Sequence, residues 1–154
     1  MSLRERLNQD LHLAMKAHDE AKKTAIRLVL AARGYEEIAR QRSLEEADVL
    51  QVLEREVKQH RESLAEYEKA GRAKLIAEEQ AQLAVLLSYL PQQLSHEELV
   101  AAAKQAIAEV GAESPSQTGQ VMRVLMPRLK GKADGREANL IVQGLLAASG
   151  QSGN

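Results

Sequence analysis

The chain has 154 residues, a formal net charge of −1 and no cysteine, which excludes disulfides, thiol nucleophiles and thiolate metal sites. Its only aromatic residues are three tyrosines, and this scarcity, with many strong helix formers, argues against a strand-rich fold. Met1 leads directly into a charged amphipathic pattern, and no apolar run reaches the ~18 residues that cross a membrane. We therefore expect a cytoplasmic protein without a signal peptide.

The first predicted helix has an apolar face in which Leu3, Leu7 and Leu11 recur every four residues. A second helix is predicted from about Glu20, and Gly34 within it should weaken the helix by ~1 kcal/mol relative to Ala. We expect that helix to bury a stripe, widened by Ile26 and Val29, that consists of Ala21, Ala25, Leu28, Ala32 and Tyr35.

The third predicted helix has the longest apolar period in the chain. Ser43 and Glu46 have the spacing of a capping box, so they predict its first turn. His60 falls on its apolar face, where a core histidine is a commoner outcome than a metal ligand. A fourth helix is predicted over residues 72–89, with Pro91 stopping it.

Shorter elements follow a predicted boundary at Pro91–Leu94. Ser95 opens another capping box, which starts a fifth helix that Gly111 ends. A sixth helix contains Pro127, which should kink it or end it early. A seventh helix is expected over residues 135–147.

These elements predict an all-α fold, with an N-terminal four-helix bundle followed by a C-terminal three-helix bundle. The domains would span residues 1–92 and 93–148. Residues 149–154 are rich in Ser and Gly, so we expect a disordered tail there.

A locally basic stretch lies between the sixth and seventh predicted helices. Asp134 and Glu137 have capping-box spacing, so Lys130 and Lys132 would lie beside a helix N-terminus, where a phosphate can bind. The alternative interpretation is a solvated corner between two helices. The basic side chains of the stretch are Arg123, Arg128, Lys130, Lys132 and Arg136.

The sequence has none of the residue spacings typical of known catalytic or metal sites. No His-Glu-x-x-His pair, Gly-x-Ser-x-Gly turn or phosphate-binding Gly-x-x-x-x-Gly-Lys-Ser/Thr loop occurs. The adjacent carboxylates fall on charged helix faces that solvent would cover. We therefore predict no catalytic residue, no metal and no cofactor.

Several short motifs resemble a known family. The segments 119–122 and 130–133, with Asn139, resemble the tail domain of the B subunit of the tRNA-dependent amidotransferase, which amidates Glu-tRNA or Asp-tRNA. Five further segments look like the stand-alone GatB/YqeY branch, namely 55–59, 66–71, 89–94, 125–127 and 131–135. The resemblance covers about residues 1–147, and it implies the same four-helix and three-helix arrangement.

The resemblance also implies a function. The family's tail domain contacts tRNA, so the matching surface here would bind tRNA phosphates through Arg123, Arg128, Lys130, Lys132 and Arg136, with Asn139 nearby. The family label is carbon–nitrogen ligase activity with glutamine as amido donor, and the implied partners are an amidotransferase or an aminoacyl-tRNA synthetase. The domain that activates the carboxylate and the amidase Ser-Ser-Lys pattern do not occur in this sequence. We therefore predict an accessory protein without a catalytic centre of its own, and without a membrane or DNA partner.

Two other functions remain open from the sequence. The first is a protein–protein interaction adaptor, in which the long third helix and its helical partner present the binding surface. The second is a catalytic amidotransferase component that acts only with further subunits. Scarce aromatic residues favour recognition of RNA backbone and shape over base stacking.

Overall fold

The computed structural model describes residues 1–151, and within that range the chain forms α-helices and one 3₁₀ turn, without a strand. The all-α prediction is confirmed. None of these helices is both long and apolar enough to cross a membrane. The helices are α1 (Leu3–Lys16), α2 (Glu20–Arg40), α3 (Glu46–Ala70), α4 (Ala73–Leu87), α5 (His96–Val110), α6 (Thr118–Leu129) and α7 (Gly135–Gln151), with the 3₁₀ turn at Pro115–Gln117.

The chain divides into two compact units, the first ending at Pro91 and the second beginning at Gln92. That each unit folds without the other remains a prediction. In the first unit, α2 packs on α1, α3 and α4, and α3 also packs on α4. Its core is almost entirely aliphatic and consists of Leu3, Leu7, Ala25, Ile26, Val29, Val49, Leu53, Val57, Leu86 and Tyr89.

The predicted stripe of α2 is confirmed in part. Ala25, Ile26 and Val29 are fully buried as expected, whereas Leu28 and Tyr35 are 43% and 75% exposed. The prediction that Leu28 and Tyr35 are buried is wrong. The physical reason is that α2 has apolar residues on two sides, and helical periodicity alone does not say which side meets the core.

The start of α3 also differs from the predicted capping box at Ser43. The helix begins at Glu46, with Glu45 as its N-cap, and the Glu45 backbone N–H donates to Asp48. The Glu46 side chain is used elsewhere, because its Oε1 accepts a hydrogen bond from the Leu3 backbone N–H at 2.8 Å. Glu46 therefore ties α3 to the first turn of α1.

Asp48 joins the end of α2 to the start of α3. Its two carboxylate oxygens accept hydrogen bonds from Arg40 at 2.8 Å and Arg42 at 2.9 Å. Hydrogen bonds from Arg42 and from the Glu45 backbone lower the pKa of Asp48 to about 2. This carboxylate consequently stays ionised in the folded protein at any pH well above that value.

In the second unit, α5, α6 and α7 pack against one another around a second aliphatic core. The Ser95 capping box is confirmed, since the Ser95 hydroxyl accepts from the Glu98 N–H at 3.1 Å. The predicted end of α5 is also confirmed, because Gly111 has a left-handed φ of 72°. The buried side chains are Leu99, Ala103, Ala106, Ala112, Val121, Leu125, Leu129, Ala138, Val142 and Leu146.

The two helices that flank the basic stretch end at different points relative to the expectation. α6 contains Pro127 and ends two residues later, at Leu129, which fits the expectation that the proline ends this helix early. α7 continues to Gln151, so the prediction of a tail from residue 149 is wrong for residues 149–151. The last turn packs near the 3₁₀ turn: a Cβ atom at Gly150 would be 4.0 Å from the Glu113 carbonyl oxygen. The rest of the predicted tail, residues 152–154, lies outside the described residues.

Candidate nucleic-acid interface

The turn between α6 and α7, here called the basic turn (Lys130–Ala133), has a specific backbone conformation. Gly131 has a φ of 74°, in the left-handed region that glycine tolerates best. The backbone N–H groups of Lys132 and Ala133 both donate to the Leu129 carbonyl oxygen, at 2.7 and 3.2 Å. The turn therefore reverses the chain directly after the buried Leu129.

Residues 93 and 94, which precede α5, form hydrogen bonds with the backbone of the basic turn. The Leu94 backbone N–H donates to the Lys132 carbonyl at 2.9 Å, and the Gln93 side-chain amide donates to the Gly131 carbonyl at 2.6 Å. These bonds fix the backbone, while the side chains of Lys130 and Lys132 are exposed. Sequence reasoning did not identify this role of residues 93 and 94, because nothing in the local pattern shows which distant carbonyl a loop amide will meet.

The first turn of α7 follows the basic turn. Asp134 Oδ1 accepts from the Arg136 backbone N–H at 3.2 Å, so the predicted capping by Asp134 is confirmed. Glu137 Oε1 lies 3.3 Å from His96 Nδ1 at the start of α5. The carboxylate of Asp134 thus already takes up one of the amides that a phosphate would otherwise use at this helix end.

The predicted basic residues do not all share one face. Arg123 is exposed on α6, whereas Arg128, five residues later and hence about 140° round the helix, donates to Glu109 of α5 at 2.6 Å. Arg136 is exposed in the first turn of α7. Asn139 is half-buried, and its Oδ1 accepts from the Gln143 side chain at 2.8 Å.

Charge is segregated along the second unit. Five of its six Lys and Arg residues fall between positions 123 and 136, where Asp134 is the only acidic residue. Among the residues that the structure describes, Arg123, Lys130 and Lys132 form no ion pair. The three side chains can therefore bind an anion without first leaving a carboxylate.

His60 is buried in the first unit, on α3. It is 6% exposed, with Nδ1 2.9 Å from the Glu56 carbonyl oxygen and Nε2 3.1 Å from Gln82 Oε1. The interpretation of His60 as a core histidine is confirmed. Within residues 1–151, no group of three His, Cys, Asp or Glu side chains is arranged to hold a metal ion.

Comparison with known proteins gives relatives in fungi. The chain is 36% identical over 85 residues to a protein of Eremothecium gossypii named "Altered inheritance of mitochondria protein 41, mitochondrial", covering 54% of this chain and 46% of that protein. It is 36% identical over 87 residues to the protein of the same name in Saccharomyces cerevisiae, covering 56% and 47%. The chain thus spans about half the length of the curated relatives it matches.

A family model describes a larger part of the chain. The model of the Yqey-like protein matches residues 4–146, which includes both units and the whole of the basic turn. The family expected from the sequence motifs is confirmed, and the chain belongs to the family of Yqey-like proteins.

Proposed function

We propose that this protein binds tRNA through the basic turn of its second unit, as an accessory factor connected with tRNA-dependent amidation and without a catalytic centre of its own. One observation carries the proposal. Lys130 and Lys132 are exposed without an ion pair on a turn whose backbone is held by Gln93 and Leu94. Because the backbone of the turn is already held, only the lysine side chains have to be ordered when a phosphate binds.

The contact set follows from how each basic side chain is engaged. Arg123, Lys130 and Lys132 are available directly, and Arg136 is exposed beside them in sequence. Arg128 would have to leave Glu109 before it could bind a phosphate. We therefore expect Arg123, Lys130 and Lys132 to contact phosphates. We expect Arg128 to contribute less to the binding free energy.

The mode of recognition follows from composition. All three tyrosines of the chain, Tyr35, Tyr67 and Tyr89, belong to the first unit. The second unit therefore has no Tyr, Phe or Trp ring for base stacking, and its one imidazole, His96, lies beside Glu137. Phosphate contacts position a nucleic acid but carry no sequence information. We expect the second unit to bind tRNA by backbone and shape, with little preference among tRNAs.

The connection with amidation rests on the resemblance to the amidotransferase tail domain. An amidotransferase or an aminoacyl-tRNA synthetase would then share the tRNA with this protein. The fungal relatives carry "mitochondrial" in their names, whereas the cytoplasmic location of this chain remains a prediction. A pull-down from the source cells, with sequencing of bound RNA and identification of bound proteins, tests both the tRNA and the shared enzyme.

The direct test is a double substitution, Lys130→Ala with Lys132→Ala, measured by fluorescence anisotropy with a labelled tRNA transcript over a salt series. With three phosphate contacts, we expect affinity to fall with a log–log slope of about −2 to −3 for the wild type. The double variant should bind all tRNAs more weakly and flatten the slope by about one to two units.

The matched control removes two exposed lysines elsewhere, Lys58→Ala with Lys104→Ala, and so makes the same change in net charge. Its affinity should stay close to that of the wild type. Equal thermal unfolding of all three proteins would show that the turn still folds. If the basic-turn variant keeps both the affinity and the slope of the wild type, the turn is a structural corner and the proposal fails.

A further inference from the structure

The side of α2 that turns away from the core carries a row of apolar residues, here called the α2 stripe: Leu28, Ala31, Tyr35 and Ile38. Leu28, Tyr35 and Ile38 expose 43%, 75% and 76% of their surfaces, and Ala31 is also exposed. Ile38 follows the buried Val29 by nine residues, which places it on about the opposite side of the helix.

Single exposed apolar residues are normal on protein surfaces, but a contiguous row of them marks a contact surface. The α2 stripe is such a row, because steps of three, four and three residues keep its members on one side of the helix. The same helix already buries Ala25, Ile26 and Val29 in the core. α2 is therefore apolar on two sides, and only one of them has a partner within the first unit.

The spacing of the stripe is that of a coiled-coil seam, and it is symmetric about Arg33. We propose that the α2 stripe is the seam of a symmetric antiparallel dimer of this chain. With a two-fold axis beside Arg33, Leu28 of one copy lies opposite Ile38 of the other. The same axis places Ala31 opposite Tyr35, and each pair occurs twice.

Side-chain volume decides between the two orientations. In the antiparallel pair, the small Ala31 leaves room for the large Tyr35 of the second copy, and Leu28 meets a residue of equal volume in Ile38. A parallel pair would place Tyr35 against Tyr35 and Ala31 against Ala31, which crowds one layer and leaves a void in another. Close-packed interfaces favour the first arrangement.

The flanks of the stripe allow two helices to approach closely. Ala32 and Ala39 lie on one flank and Gly34 on the other, and these small residues allow the usual interhelical distance of 8–10 Å beside the centre of the stripe. Arg27 on the second flank faces Gln41 of the second copy in this register. The Arg27 charge therefore meets an uncharged polar group and not another cation.

The area of the stripe sets the expected strength. Tyr35 and Ile38 expose about three quarters of their surfaces and Leu28 less than half, so the stripe can bury at most roughly 400 Å² per copy. The total of about 800 Å² is smaller than a stable interface buries and is typical of weak, transient contacts. We therefore expect a weak dimer, with a dissociation constant on the order of 100 µM.

The first test is sedimentation velocity of the full chain from about 10 µM to about 1 mM, a range that brackets the expected constant. The wild type should shift from monomer to dimer across this range. Ile38→Lys should raise the dissociation constant about tenfold or more, because a lysine ammonium would be buried opposite Leu28. Leu13→Lys is the matched control, since Leu13 is 55% exposed on α1 outside the stripe, and it should associate as the wild type does.

The second test distinguishes an antiparallel pair from a parallel pair. Because the chain has no native cysteine, any disulfide must join the introduced residues. Leu28→Cys and Ile38→Cys are prepared separately, mixed in equal amounts and oxidised. The mixture should give a disulfide-linked heterodimer, because the two positions face each other. Leu28→Cys alone should cross-link poorly, since residue 28 of one copy lies about 15 Å along the seam from residue 28 of the other.

Three results would overturn the proposal. A chain that stays monomeric at the highest concentration has no such dimer. If Ile38→Lys leaves the association unchanged, the chain associates through a different surface. Efficient cross-linking of Leu28→Cys alone, with homodimers but no heterodimer in the mixture, would mean a parallel pair.

Discussion

At the junction of α2 and α3, Asp48 accepts hydrogen bonds from Arg40, Arg42 and the Glu45 backbone, and its pKa falls from 3.8 to about 2. A carboxyl whose folded pKa lies below its unfolded value binds protons more readily in the unfolded chain. Its contribution to stability is therefore complete above about pH 4 and is lost as the pH falls towards 2. Glu36 and Glu37 act in the same direction, because hydrogen bonds from Arg40 and from the Leu44 backbone lower their pKa values.

The substitution Asp48→Asn tests this linkage. We expect the variant to be less stable than the wild type at neutral pH, because Arg40 and Arg42 lose their charged acceptor. The difference in free energy of unfolding should shrink as the pH is lowered from 4 to 2, because a growing fraction of the wild-type carboxylate becomes protonated as the pH approaches its pKa of about 2. Urea unfolding of both proteins over a pH series measures this difference in free energy. A difference that stays constant between pH 4 and pH 2 would contradict the lowered pKa of Asp48.

Two glycines should respond to substitution in opposite directions. Gly131→Ala should destabilise the protein by about 1 kcal/mol, because Gly131 has a φ of 74° that a Cβ atom disfavours. Gly144→Ala should stabilise it by about 0.5–1 kcal/mol, because Gly144 lies in α7 with nothing within 4 Å of the added atom. Thermal unfolding of the two variants beside the wild type is sufficient, and effects of the same sign would contradict the argument.

At the scale of the helix, the sequence predicted most elements because caps and breakers act locally. Ser95, Gly111 and Asp134 perform the roles that their residue types suggest. The start of α3 could not be predicted in this way, since Glu46 binds the Leu3 backbone on another helix. A local motif fails where one of its side chains has a better partner elsewhere in the fold.

α2 shows the corresponding limit for burial. Its apolar residues lie on two sides of the helix, and periodicity gives both sides equal weight. The side with Ala25, Ile26 and Val29 enters the core because α1, α3 and α4 pack there. The burial of one side and the exposure of the other are consequences of tertiary packing, which no window of sequence contains.

The candidate site was predictable in composition but only partly in arrangement. The positive charge of residues 123–136 and the cap at Asp134 can be read from the sequence. That Arg128 pairs with Glu109, and that Gln93 and Leu94 hold the basic turn, depend on residues 19 and 38 positions away. Such distant pairs are set by how α5 and α6 pack.

At the scale of the whole molecule, each unit has an aliphatic core of its own. We therefore predict that a fragment of residues 92–154 folds alone, with helical circular dichroism and a cooperative urea transition. A second fragment that starts at Ser95 lacks the two bonds to the basic turn, and it should be less stable by about 1–3 kcal/mol. If the fragment of residues 92–154 stays unfolded, the core of the second unit depends on the first unit.

The two bonds from Gln93 and Leu94 to the basic turn also have a consequence for the order of folding. The Gln93 bond joins positions 38 residues apart, so α5, the 3₁₀ turn and α6 must be in place before the bond can form. Contacts of such separation close late, because the chain between them must be ordered first. We therefore expect the lysines of the turn to reach their final positions only when the second unit is nearly complete. In a partly synthesised chain, the backbone that carries these lysines would still be disordered.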